Sequence, residues 1–323
     1  MSMDTDLIFK PIANHIERYD ALLKEMLETD SEFIFKITKH LFSRTGKRLR
    51  PALLFLSVGR TDNPAAVYAA VAIELIHAAT LLHDDVIDES DARRGIETVN
   101  HRWDNLVSVL MGDYLFSKSF KLLVKSGFQK LLEGFAAATE RVSIGELNQV
   151  YLTGNFDIDE DQYLRVLADK TASLFACACE SGVICNGGDE ERMKNMREFG
   201  ENLGIAFQIT DDILDLVGEP TKTGKKLGSD IREGWVTLPM IHSLRNSDGS
   251  YKDKIIKLYN SEFTNDGFEK VIKFISDNDG IDYADQKARM FSERAKEALA
   301  KADGLDYKEN LLKLADFAVV RDK

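Results

Sequence analysis

"PAAVYAAVAIELIHAATLLHDDVID", residues 64–88, is an almost uncharged run that closes on Asp84, Asp85 and Asp88. Apolar residues on every face mark a helix buried on most sides. Residues four apart on a helix are rotated by about 40° and displaced by about 6 Å. Asp84 and Asp88 therefore share a face. Acids favour helix N-termini, yet these lie at the other end, against the dipole.

The same device returns in "DDILD" at 211–215, where Asp211 and Asp215 share a face and Asp212 lies between. Like charges at this spacing cost an isolated helix about 0.2–0.5 kcal/mol, and more in a cleft of low dielectric. One such cluster is ordinarily a solvated helix end; two, both late in apolar helices, point to divalent cations. Donors that are all oxygen favour a hard ion such as Mg²⁺, which keeps positions open for substrate phosphates. Basic residues stand near both clusters: Arg93 and Arg94 after the first, Lys225 and Lys226 after the second, and Lys47, Arg48 and Arg50 in "GKRLRP" at 46–51. Guanidinium forks and ammonium point charges are the usual partners of phosphate oxygens.

The rest of the chain reads as helices. Apolar residues recur at three- and four-residue spacing over 7–42, 130–152, 160–186 and 191–217, and again from 236 onward, with strand patterns nearly absent. The 323 residues are 44% hydrophobic with five prolines, enough for a large core. With no shift of composition along the chain, residues 1–323 read as one all-α domain. A net charge of −12 excludes a general nucleic-acid surface, which needs a basic face. The three cysteines lie in the apolar "FACACESGVIC" at 175–185, as reduced core thiols of a cytoplasmic protein do. No stretch reads as a membrane span, and "MSMDTDLIFK" lacks the marks of a signal peptide. No stable membrane insertion is expected.

Taken in order, "GKRLRP", "ELIHAATLLHDDVIDESDARRG", "MGDYLFSK", "GELNQ", "DKTASLF", "FQITDDILD" and "GKKLGSDIREGWVTLP" resemble the trans-isoprenyl diphosphate synthases over nearly the whole chain. The likeness is strongest to the long-chain polyprenyl members of octaprenyl type, which make quinone side chains. The resemblance implies an isoprenoid-synthase-type bundle of long helices around a central cavity, paired as a homodimer. It implies that Asp84, Asp85, Asp88, Asp211, Asp212 and Asp215 hold Mg²⁺ against an allylic diphosphate such as farnesyl diphosphate. Arg93, Lys170, Thr171, Gln208 and Lys225 would contact that diphosphate, and Lys47, Arg50, His77 and Arg94 that of isopentenyl diphosphate. The chemistry implied is ionisation, condensation and proton loss, with Lys170 and Lys225 joining the aspartates as catalytic groups. Trp235 departs from the pattern, which has a smaller or polar residue there.

Product length is read from the residues before Asp84. Shorter-chain members commonly carry an aromatic four or five positions upstream, whereas Ala79 and Thr80 are small, so a long chain is expected to pass. Ile76 and Ile73 continue that face, and Met111, Phe116 and Phe120 are candidates for the floor. The alternatives are a shorter, geranylgeranyl-type synthase and a metal-dependent diphosphate hydrolase. The basic corner at 47–50 speaks against the hydrolase, because it suggests a second diphosphate. A terpene cyclase usually lacks the second all-aspartate cluster, and a silent subunit is expected to lose motif residues that this chain keeps.

Overall fold

The computed structural model describes residues 5–43, 46–93, 95–218, 227–259 and 264–320. The segment expected to form one or two helices over 7–42 is divided further. Helix α1 (Thr5–Phe9) passes through a 3₁₀ turn at Lys10–Ile12, where Pro11 sits, into α2 (Ala13–Leu27), and α3 (Glu32–Leu41) follows. Helix α4 (Leu49–Val58) starts from Arg48 in the left-handed region, at φ 51°.

The apolar run forms α5 (Pro64–Ile87). Its first turn is capped by the Asn63 side chain, which accepts from Ala65 N at 3.0 Å. A short antiparallel hairpin then pairs β1 (Ala92–Arg93) with β2 (Ile96–Glu97), Arg93 opposite Ile96, with Gly95 at φ 73° in its turn. After α6 (Val99–Arg102), helix α7 (Asn105–Ser126) returns along α5. It begins where Asp104 Oδ1 accepts from Val107 N at 2.7 Å, and it ends at left-handed Gly127.

Next come α8 (Gln129–Leu152) and α9 (Glu160–Leu167), the latter closed by a capping box between Asp159 and Gln162. The expected single helix over 160–186 is instead α9, a π turn at Ala168–Ala172 and α10 (Ser173–Asn186). Helix α11 (Glu190–Val217), with Asp189 as its cap, carries the second acidic cluster near its end. Then follow α12 (Ser229–Glu233), α13 (Leu238–Asn246), α14 (Gly249–Tyr259), α15 (Asn265–Asp277), α16 (Gly280–Lys301) and α17 (Lys308–Val320).

Two apolar clusters hold these helices together. One gathers Leu53, Ile73, Phe135 and Phe175 from α4, α5, α8 and α10. The other gathers Tyr163, Trp235, Phe274 and Ala288 from α9, the segment before α13, α15 and α16. Helix α11 runs through both, placing Phe199 and Leu203 in the first and Ile205, Ile209 and Ile213 in the second.

Helix α5 is, among the described residues, the one helix long and apolar enough to cross a membrane, with a mean hydropathy of 1.8 over 18 residues. This corrects the expectation that no stretch passes that test. Of that window 72% is buried inside the protein, so its apolarity serves the core.

Helix α10 can lie against α4 only because residue 182 is glycine. A methyl there would stand 2.5 Å from both Leu54 O and Ser57 Cβ. Gly182→Ala is expected to lower the unfolding free energy by about 1–3 kcal/mol, the usual cost of overpacking, as read from urea denaturation midpoints.

Candidate active site

A cavity of about 1140 Å³ opens where the acidic ends of α5 and α11 meet the corner before α4. Its wall includes Asp84 and Asp88 from α5, Asp211, Asp212 and Asp215 from α11, Lys170 and Thr171 from the π turn, and Gln208. Lys47, Arg50, His77 and Arg93 line it too. Residues as far apart in the chain as Lys47 and Asp215 thus share one space. Arg94, Lys225 and Lys226 lie outside the described residues.

The acidic residues are not equivalent. Burial pushes the Asp84 carboxyl up to about 7; Lys170 and Arg93 draw it down, Glu146 and Asp88 push it further up. Lys170 Nζ lies 2.6 Å from Glu146 Oε2. Burial opposes the ammonium, but Asp84 and Glu146 outweigh it and leave the Lys170 pKa raised.

Asp85 points elsewhere. It is buried, it is not among the residues lining the cavity, and Arg93 Nε donates to its Oδ1 at 2.7 Å. Its backbone carbonyl accepts from Asn100 Nδ2 at 3.0 Å. Asp85, expected to support or complete the metal set, does not reach the cavity wall: the residue beside Asp84 on a helix turns about 100° away, and here it anchors Arg93 and the hairpin.

Asp212 occupies the matching place on α11 and is also buried, though it reaches the wall. Tyr163 Oη donates to its Oδ2 at 2.6 Å and Gln208 Nε2 to its Oδ1 at 2.9 Å, while Thr171 Oγ1 donates to Gln208 Oε1 at 3.0 Å. Burial raises the Asp212 carboxyl to about 7, against these two hydrogen bonds. Trp235 stacks on Tyr163, ring centroids 6.2 Å apart and planes 25° apart. The unexpected tryptophan thus backs the phenol that holds Asp212.

Asp215 binds the chain that follows the second cluster. Its Oδ1 accepts from Ser229 Oγ at 2.7 Å and Ser229 N at 3.2 Å, and its Oδ2 from Asp230 N at 3.1 Å. On the basic side, the Arg50 guanidinium sits over the Phe175 ring at 4.8 Å, and Arg48 Nη2 pairs with Asp20 Oδ1 at 2.9 Å.

Of the residues expected to govern product length, Thr80 lines the cavity. Its Oγ1 donates back to His77 O at 2.9 Å. Ala79, Ile76 and Ile73 have no exposed surface and belong to the first core; Met111, Phe116 and Phe120 also pack there, none of them among the lining residues. This corrects the expectation of one continuous face. Neighbours on a helix diverge by about 100°; here Thr80 lies on the cavity side with Glu74, His77 and Leu81, and Ala79 turns into the core. Tyr163 and Glu146 were not singled out from sequence. Glu146 at least lies in "GELNQ"; Tyr163, 49 residues from Asp212, leaves no local signal.

The geometry agrees with comparisons to known proteins. The polyprenyl synthetase family model matches residues 31–275. The chain is 35% identical to the all-trans-nonaprenyl-diphosphate synthase (geranyl-diphosphate specific) of Rhodobacter capsulatus, covering 97% of each. It is 34% identical to the octaprenyl diphosphate synthase of Escherichia coli K12, over 99% of this chain and all of that one. The geranylgeranyl diphosphate synthase of Saccharolobus solfataricus is 32% identical, over 100% of this chain and 99% of that one. Among solved structures, a polyprenyl synthase from Caulobacter crescentus, complexed with calcium and isoprenyl diphosphate, superposes with a TM-score of 0.93 at 34% identity, covering 100% of this chain and 99% of that one. The all-α isoprenoid-synthase fold is thereby defined. The chain belongs to the polyprenyl synthetase family, and it is a prenyltransferase, a trans-polyprenyl diphosphate synthase.

The raised carboxyls set a pH dependence. Without metal, the folded chain keeps protons on Asp84 and Asp212 up to about pH 7, whereas an unfolded Asp loses its proton near pH 4, at about 3.9. Between these values the folded state binds more protons, so unfolding free energy falls as pH rises. Urea titrations in chelator from pH 4.5 to 7.5, a range of about 3 units around those values, should show this decline, and Asp84→Asn should flatten it.

Proposed function

We propose that this synthase is a long-chain all-trans enzyme of octaprenyl type, extending an allylic diphosphate such as farnesyl diphosphate with isopentenyl diphosphate to supply quinone side chains. The observation that carries the reading is the single cavity in which two acidic helix ends meet two separate basic groups. Lys170, Thr171, Gln208 and Arg93 would hold the allylic diphosphate; Lys47, Arg50 and His77 would hold the second. Arg94 and Lys225 are assigned the same roles on the resemblance alone. The small Thr80 on the wall, one turn from Asp84, supports a long product, as does the Escherichia coli relative. The Saccharolobus relative favours the shorter, geranylgeranyl-type product.

Mg²⁺ fits the site. The donors are oxygens, and burial penalises charge on the Asp84 carboxyl, a cost that a bound cation would offset. Among the described residues no three His, Cys, Asp or Glu side chains gather closely enough to hold an ion by themselves, so a bound Mg²⁺ would draw further oxygens from substrate phosphates. Asp84, Asp88 and Asp211 would hold it, with Asp212 and Asp215 behind them. When bound, the metal neutralises charge developing on the departing diphosphate.

The reaction follows from the two anion sites. The allylic C–O bond breaks and its electron pair leaves with pyrophosphate, whose charge Lys170 and Thr171 meet with preorganised donors. The isopentenyl double bond, held by its own diphosphate at Lys47 and Arg50, attacks the allylic cation. A proton then passes from the new chain to the departing pyrophosphate. No nucleophilic side chain takes part.

An apolar face on α7 and α8 supports a homodimer. Leu106, Leu110, Leu147, Val150 and Tyr151 are all more than half exposed, on two helices joined through Gly127 and Phe128. Such a patch rarely stays uncovered on a monomer. The buried free thiols Cys177, Cys179 and Cys185 support a cytoplasmic setting.

Incubation with Mg²⁺, farnesyl diphosphate and labelled isopentenyl diphosphate, followed by sizing of the dephosphorylated products, is expected to show a ladder ending near about eight isoprene units, each comparable to one helical turn of about 5.4 Å. Arrest at four units would establish the geranylgeranyl reading instead, and pyrophosphate release without isopentenyl diphosphate would establish the hydrolase. Asp84→Ala should abolish turnover. Thr80→Phe should shorten the product with the fold intact, whereas Ala79→Phe should destabilise the protein by about 1–3 kcal/mol through overpacking.

A further inference from the structure

The π turn at Ala168–Ala172 holds both Lys170 and Thr171. Such a turn takes one extra residue per hydrogen-bonded loop, is rare, and recurs at functional sites. Here Ser173 N donates to Ala168 O, and Ser173 Oγ to Asp169 O at 2.6 Å. The remaining support comes from Arg141 on α8. Its Nε donates to Asp169 Oδ1 at 2.7 Å, and its Nη2 to Ala168 O at 3.1 Å and to Glu201 Oε1 on α11 at 2.9 Å.

Arg141 lies four residues before Gly145, so the two share a face of α8, and both meet the π turn. Gly145 allows the contact: a methyl there would overlap Lys170 N and stand 2.8 Å from Lys170 Cα. Glu146 then holds Lys170 Nζ. The Arg141, Asp169 and Glu201 side chains are 33%, 25% and 32% exposed, and ion pairs so open to water add little stability. Their geometry matters more, because a planar fork shared between two carboxylates and a carbonyl fixes three helices in one register.

We propose that Arg141 is a positioning residue for the leaving-group side of the reaction: by clamping the π turn between α8 and α11, it sets where Lys170 Nζ and Thr171 Oγ1 meet the allylic diphosphate. The proposal rests on the reading of these two residues given above. The isopentenyl side, just before and on α4 and on α5, accepts none of the hydrogen bonds of the clamp; its link to this region is Arg50 over Phe175, three residues beyond the π turn, so release of the clamp acts first on Lys170 and Thr171.

Steady-state kinetics on Arg141→Met, Arg141→Lys and Asp169→Asn, with Arg197→Met as a control that removes an exposed guanidinium pair to Glu180, test it. A small misplacement of a charge-stabilising group costs roughly 10- to 100-fold. Arg141→Met should lose that much kcat and raise the KM for the allylic substrate, leaving the KM for isopentenyl diphosphate within about twofold. Arg141→Lys, which keeps the charge without the fork, should fall between. Wild-type kcat and allylic KM in Arg141→Met, or an equal rise in both KM values, would overturn the proposal. If that variant fails to fold, Arg141→Lys and Asp169→Asn decide by the same readout.

Calorimetric binding of inorganic pyrophosphate with Mg²⁺ separates the two failures. A wild-type chain that transfers no prenyl group defeats the synthase assignment of the site. Weaker pyrophosphate binding by Arg141→Met than by wild type would still support the clamp, and equal affinity would overturn it.

Discussion

Carboxylates brought together out of water repel one another, and their burial in a cavity raises the cost further. This constraint shapes the ends of α5 and α11. Each of the carboxyls at Asp84 and Asp212 is pushed to about 7 by burial. The neighbouring elements are placed to offset that cost. Lys170 comes from the π turn, Tyr163 from α9 with Trp235 stacked behind it, and the residues after the second cluster return to bond Asp215. The same low dielectric strengthens every charge–charge interaction in the cavity, so the ammonium of Lys170 counts for more beside Asp84 than it would in water.

Much of the fold was legible because its signals are local. Apolar spacing and the acids at helix ends locate α5, α8 and α11 to within a few residues. The breaks were less legible. Pro11 divides the first helical segment, and the π turn at 168–172 interrupts what reads as one helix. The turn is held in part from outside, here by Arg141 of α8, so no local pattern announces it.

In the site, repeated spacing marked the aspartates well but could not rank them. Asp84 and Asp85 are adjacent in sequence, yet one lines the cavity and the other anchors Arg93. Ala79 and Thr80 divide in the same way, and the small size of both was read as one signal when only Thr80 reaches the wall. Trp235 had no role by sequence because its partner, Tyr163, comes from an element 72 residues earlier in the chain.

The amino-acid sequence by itself determined that this is an all-helical protein with two oxygen-rich acidic helix ends and several local basic groups, because helical period and residue chemistry act over distances of one or two turns. Only the tertiary structure decided which side of each helix faces the cavity, which aspartates are held by protein partners, and how Lys170 is aimed. Those outcomes depend on rotations of about 100° per residue and on contacts between segments far apart in the chain, where packing, and not sequence adjacency, selects the neighbour.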